Sequence, residues 1–192
     1  LVTKVHNEVK RYAGEGRTII LVGHRDHVEV VGTKGEAPEQ TLVVESVEDA
    51  ERVQVPDPEK VAYTTQTTLS SDDVAAAVIV LTRRFPAIVG PHKADICYAT
   101  QNRQDAVKRL AERADPILIF GSEESSNANR LVEVARREGV PAYLVEDANA
   151  LSPEMFSGVN VVGLSSGAST PELLLDGAKE RLKDFGATSF EE

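Results

Sequence analysis

The chain has one cysteine, one methionine and no tryptophan among its 192 residues. A single thiol, Cys97, cannot build an internal disulfide framework, and cannot by itself supply a metal centre that takes several thiolates. Basic residues are also short, 21 against 31 acidic, for a formal net charge of -10. That balance repels nucleic acid and anionic membrane surfaces, so a polyanion partner is not expected. No apolar run approaches the roughly 18 residues of a membrane span. No basic-then-apolar leader precedes the first helical stretch either, so neither a span nor a signal peptide is expected and the chain reads as cytoplasmic. The phosphate loop GxxxxGK[ST] and the fingerprint GxGxxG are both missing, which removes support for ATP and dinucleotide readings.

What is present is an alternation of strands and helices. Hydrophobic residues make up 41% of the chain, enough for one ample domain or two compact ones. Aliphatic, β-branched runs recur at RTIILVG (17 to 23), TLVVES (41 to 46), KVAYTTQ (60 to 66), DPILIFG (115 to 121), AYLVED (142 to 147) and VNVVGLS (159 to 165). Amphipathic stretches lie at 2 to 13, 72 to 85, 103 to 114, 126 to 139 and 171 to 186. Strands apolar on both faces, alternating with helices, predict mostly parallel sheets covered by helices. The segment PAIVGPHKADICYAT, broken by Pro86, Gly90 and Pro91, places a boundary near residue 98 and predicts two α/β domains, 1–97 and 98–192. Similar polar loops in both halves hint at duplication.

In such folds ligands bind beyond the carboxyl ends of the parallel strands. Three of the loops there, TTQTTLSSDD, GSEESSNANR and LSSGASTPE, collect Ser, Thr and Asn donors beside helix N-termini, a chemistry suited to phosphates. Taken one loop at a time, Ser70, Ser125 and Thr170 read first as ordinary N-caps, but three such loops at equivalent ends point to an anion pocket. The loop after the first strand, GHRDHVEVVGTKG, adds His24, His27 and Glu29. An HxxH spacing can present two imidazoles to zinc, but no further His or Cys lies nearby and Gly32 shortens any helix. Beside an anion pocket, a histidine is a donor and a glutamate two residues on can deliver a proton. Otherwise the loop is a polar strand-to-helix turn. Cys97 stands at the start of a helical segment, where an inert buried thiol and a reactive thiolate are both open readings. LVTKVHNEVK is helical in pattern with no N-cap before it, so the chain is expected to begin inside a larger reading frame or after a cut.

Read in order, LVTKVH, GHRDHVEVVGT, TQTTLS, DICYATQNRQ, GSEESSNANRL and SSGASTPE resemble the 4-hydroxy-3-methylbut-2-enyl diphosphate reductase family across the whole chain. The resemblance implies two of three pseudo-symmetric three-layer α/β/α domains, the middle and C-terminal ones. It implies a reductive dehydroxylation of an allylic alcohol diphosphate to isopentenyl and dimethylallyl diphosphate. The cofactor implied is a [4Fe-4S] cluster held by three cysteines, of which Cys97 matches the third. By the same resemblance Glu29 relays a proton to the departing hydroxyl, Thr67 stands beside that hydroxyl and the glutamate, and His27 contacts the diphosphate. Ser125, Ser126, Asn127 and Ser169 match its other diphosphate-binding groups.

Two departures accompany the match. Val28 stands where the family usually has proline, a change expected to loosen the turn. The family's N-terminal domain, with two more cluster cysteines and a closing Cys-Pro, would stand before Leu1, and one thiolate cannot hold a cubane, so this chain alone is expected to be inactive. A flavodoxin- or ferredoxin-type electron donor is implied, and the basic runs in KRLAER and RLVEVARR are either a docking patch for it or solvated helix faces. Two other classes also fit the hydroxyl loops: a phosphosugar isomerase-like module, and a non-catalytic diphosphate-binding protein.

Overall fold

The structure is a computed structural model that describes residues 1–91 and 96–191. Part of the interrupting segment, residues 92–95, therefore lies outside the described residues. The chain forms two compact units, Leu1–Cys97 and Tyr98–Glu192.

In the first unit the elements are α1 (Val2–Gly14), β1 (Thr18–Val22), α2 (Val28–Gly35), β2 (Thr41–Val44), α3 (Val47–Arg52), β3 (Val61–Thr65) and α4 (Ser71–Arg84). The strands pair in parallel in the order β2-β1-β3. Because side chains alternate along a strand, β1 feeds two cores. Ile19 packs with Val9 and Tyr12 of α1, while Ile20 and Val22 pack with Ala50 of α3 and Ala77, Val80 and Leu81 of α4. Both faces of the sheet are thus covered, with each buried aliphatic side chain contributing about 1.5–3 kcal/mol. Arg84 ties the two helices of one face together by donating to the carbonyls of Ala50 and Val53, where α3 ends.

The second unit repeats this plan with α5 (Tyr98–Ala111), β4 (Ile117–Phe120), α6 (Ser126–Arg137), β5 (Ala142–Val145), two short 3₁₀ turns (Ala148–Ala150 and Pro153–Phe156), β6 (Gly163–Ser166) and α7 (Leu173–Asp184). Its parallel order is β5-β4-β6. Ile117 and Ile119 face Val107 of α5 and Leu131 of α6, whereas Leu118 and Phe120 face Leu151 and Ala178. In each unit, then, the first strand is central, the second and third flank it, and the helices before and after the central strand share one face. The three-layer α/β/α class expected from the sequence is the class observed.

Several local expectations need correction. Helix α5 begins at Tyr98, five residues before the stretch expected from 103, because Thr100, Gln104 and Val107 already present one buried face. Strand β6 starts at Gly163, since residues 160 and 161 are engaged instead by the Asp115 carboxylate through their N–H groups (2.7 and 2.9 Å). Helices α2 and α3 were too short to show a clear period. Among the described residues no helix is long and apolar enough to cross a membrane.

Candidate functional site

The loop after β1 turns sharply into α2. Gly23 makes the turn possible: a Cβ there would come within 2.7 Å of Val30 Cγ2 and 3.0 Å of Gln66 Cβ. His27 is the N-cap of α2, and its Nδ1 accepts the N–H of Glu29 at 3.2 Å. A ring nitrogen used as acceptor carries no proton, so neutral His27 holds its proton on Nε2 and offers that as its single donor. Val28 is the first residue of α2 and is 82% exposed. The proline expected there by resemblance would occupy the one helical position where it fits best, so the difference concerns the start of a helix and not a free turn.

Glu29, in the first turn of α2, reaches the loop after β3. Its Oε1 accepts the backbone N–H of Thr67 at 2.8 Å and its Oε2 accepts the Thr67 hydroxyl at 3.0 Å. The carbonyl of Thr67 in turn accepts the N–H of Cys97 at 3.1 Å. Residues far apart in sequence, Glu29, Thr67 and Cys97, are therefore joined by a continuous series of hydrogen bonds. Thr67 is 6% exposed and Cys97 is half-buried. His24 is exposed, and its backbone N–H is held by the Gln66 side chain. No group of three or more His, Cys, Asp and Glu able to hold a metal occurs among the described residues, so the HxxH pair has no third ligand there.

In the second unit the carboxyl ends of the strands border an open cleft of about 270 Å³ whose walls include Ser122, Ser125, Glu146, Ser169 and Thr170. Ser125 is the N-cap of α6, its Oγ accepting the N–H of Ala128 at 3.3 Å. Ser126 and Asn127 form the first turn of that helix. Asn127 is 7% exposed, and both atoms of its amide are buried without a hydrogen-bond partner. A buried primary amide left unpaired costs about 1–3 kcal/mol, so Asn127 is a candidate binding group. Ser70 is a true N-cap, of α4. Thr170 is not a cap: α7 begins at Leu173 after Glu172, and the Thr170 hydroxyl donates to the carbonyl of Phe120 at 3.0 Å. It braces the loop after β6 against the end of β4.

The structure thus joins Glu29, Thr67 and Cys97 in the first unit, with His27 capping the same helix, and gathers Ser125 and Ser169 at one cleft in the second. Gln66, Ser122 and Glu146 were not singled out from the sequence, and Thr170 was singled out only as a loop donor or cap. For Gln66 the signal was an amide amid hydroxyls in TTQTTLS, at a position where a strand ends and a ligand crevice begins.

The LytB protein family model matches residues 1–183. Among curated relatives, the 4-hydroxy-3-methylbut-2-enyl diphosphate reductase of Aromatoleum aromaticum is 54% identical over 189 residues, covering 98% of this chain and 61% of the relative. The Bordetella pertussis protein of the same name is 53% identical, covering 98% and 58%. Among solved structures, the E-1-hydroxy-2-methyl-but-2-enyl-4-diphosphate reductase of Plasmodium falciparum matches with a TM-score of 0.87 at 40% identity, over 95% of this chain and 56% of that one. This chain spans about six tenths of the length of those curated relatives. A match that runs from Leu1 through both units, on a frame whose strand ends carry the motifs, means that the chain belongs to the LytB family.

Proposed function

We propose that these two units are the middle and C-terminal domains of an iron–sulfur reductase that removes the hydroxyl of 4-hydroxy-3-methylbut-2-enyl diphosphate, giving isopentenyl and dimethylallyl diphosphate. The observation that carries this reading is the hydrogen-bonded series Glu29, Thr67, Cys97. It joins a carboxylate able to move a proton directly to a hydroxyl able to pass it on, and ties the backbone of the cysteine that matches a cluster ligand to the same loop, which supports proton-coupled C–O cleavage.

On this reading Glu29 delivers the proton. Both of its oxygens are held by Thr67, so the carboxylate is oriented before the substrate arrives and loses no freedom at the reaction. Thr67 supplies the hydroxyl next to the leaving group. His27 presents one Nε2–H donor to the diphosphate, and Ser125, Ser126, Asn127 and Ser169 add neutral donors. Neutral donors bind a diphosphate without bringing compensating charge into the site, which suits a ligand that must leave as a diphosphate product.

A [4Fe-4S] cluster takes three protein thiolates, and Cys97 is the only cysteine of this chain. The residues present do not suffice for that group, and no step is routed through it here. When bound, such a cluster supplies electrons and a Lewis-acidic iron. Two cysteines must come from a further domain, and the electrons from a flavodoxin- or ferredoxin-type donor in the cytoplasm.

The test is iron and acid-labile sulfide per chain after anaerobic reconstitution of this chain, its Cys97→Ser variant and the reading frame extended upstream. About four irons in the extended form only, lost with the cysteine change, is the expected result. Equal loading of this chain alone, or turnover by it, would overturn the reading.

A further inference from the structure

We propose that Gln66 is a positioning residue for the Glu29–Thr67 pair, acting as a strut between the loop after β1 and the loop after β3. Glu29 sits on α2 and Thr67 follows β3, so their two hydrogen bonds form only if those two loops keep a fixed spacing. Gln66 is 1% exposed and lies between them. Its Oε1 accepts the N–H of His24 in the first loop at 3.0 Å, and its Nε2 donates to the Thr68 hydroxyl in the third at 2.9 Å. Its own N–H donates to the carbonyl of Val22 at 2.8 Å, anchoring the strut to the end of the central strand. Gly23 is what admits it, because a Cβ at 23 would lie 3.1 Å from Gln66 Oε1.

The second unit offers a natural control. There the N–H of Gly167 donates to the carbonyl of Phe120 at 2.8 Å, the same register that Gln66 holds on Val22. Gly167 has no side chain, the strand ends border an open cleft, and Asn127, at the register of Glu29 in its helix, has no partner. Where the strut is present the helix side chain is clamped across the loops, and where it is missing the side chain is not. The importance of this clamp for turnover rests on the proton-handling role given to Glu29 above.

Amide exchange measured by NMR on the 192-residue chain tests the strut directly. Gln66→Leu is expected to speed exchange of the Thr67 N–H by at least about tenfold while Ile20 and Leu21 of β1 change by less than about twofold. Uniform acceleration across the sheet would make Gln66 an ordinary core residue, and an unchanged Thr67 would remove its role altogether; either overturns the proposal. Should Gln66→Leu fail to fold, Thr68→Val removes one end of the strut alone and is expected to give the same selective pattern at about threefold, its absence counting against the strut. In the protein extended upstream, Gln66→Leu is expected to lower kcat with little change in KM. Selective exchange with unchanged kcat would instead overturn the role assigned to Glu29, and with it the place of Gln66 in the reaction.

Discussion

In the unit Leu1–Cys97 the second residue of the helix after the central strand is a glutamate with both carboxylate oxygens taken; in Tyr98–Glu192 the same register holds an asparagine with neither amide atom taken. Around them the backbone frames share the hydrogen bonds that close the strand ends. Gly23 donates its N–H to Val44 and Gly121 donates to Val145, at 2.9 and 3.0 Å. Each glycine sits under the following helix, where a Cβ would come within 2.7 Å of Val30 in one unit and Ala128 in the other. Glu45 and Glu146 end equivalent strands, yet Glu45 is held by Arg25 through its backbone N–H and guanidinium, whereas the residue at Arg25's register is Glu123. The repeated backbone is therefore a holder, and the side chains set into it decide whether the group at the start of the following helix is clamped, as Glu29 is, or left without a partner, as Asn127 is.

The contrast is broken most severely at its two central side chains. In the protein extended upstream, Glu29→Gln keeps the shape and removes the proton, and kcat is expected to fall by about 10²–10⁴-fold. Asn127→Ala is expected to act mainly on substrate affinity, by about tenfold, so steady-state kinetics separates a proton-handling residue from a binding one. Equal effects of both variants on kcat would dissolve the distinction.

Next come the shared glycines. Gly23→Ala and Gly121→Ala each force a helix away from its strand end and are expected to cost about 1–3 kcal/mol in denaturant unfolding. If only one unit suffers, the frames are less alike than their hydrogen bonds indicate. The caps are smaller. Ser125→Ala is expected to lose about 1 kcal/mol of stability, and Val28→Pro, at the first position of α2, to gain about 0.4–1 kcal/mol. A loss on Val28→Pro would show that this position is not helical.

The finest comparison is in pH and salt. Hydrogen bonding to Lys10, with further help from His6, holds Glu36 below its ordinary 4.5, and the N–H groups of Val161 and Asn160 hold Asp115 below its ordinary 3.8. Both pKa values are lowered by folding, so each contribution is complete above the ordinary value and is lost as pH falls through the folded one. Salt screens the Lys10–Glu36 pair and leaves the neutral backbone donors of Asp115 nearly untouched. Raising ionic strength is therefore expected to flatten the acid-side loss more in Asp115→Asn, which keeps the Lys10–Glu36 pair, than in Glu36→Gln, which keeps only Asp115 with its backbone donors; acid unfolding of the two variants in low and high salt resolves the difference.

Much of this was legible in the sequence. The aliphatic runs at RTIILVG and DPILIFG mark central strands because only a strand buried on both faces tolerates so many consecutive apolar residues. Ser70 and Ser125 announce helix starts by their own side-chain chemistry. Short helices such as Val47–Arg52 leave too few turns for a period to emerge, and the start of β6 is set by the hold of Asp115 on Asn160, 45 residues apart, which no local pattern contains. Thr170 looked like a cap because threonine before a proline and an amphipathic run is a common helix start; its hydroxyl instead donates to the carbonyl of Phe120, which already accepts the N–H of Gly167.

By itself the sequence determined all six strands and the five longer helices of the described residues, the parallel class, the hydroxyl-rich loops and the family motifs, since each follows from a residue's own propensity or from neighbours a few positions away. Only the tertiary structure decided that Glu29 meets Thr67 and Cys97, that Gln66 braces the loops that hold them, and that Asn127 is left unpaired. Those outcomes depend on which strand ends a parallel sheet brings side by side, and on whether the residue there carries an amide, as Gln66 does, or nothing, as at Gly167. Hydrogen bonds across about 40 residues of chain are fixed by register and packing, and no local propensity encodes them.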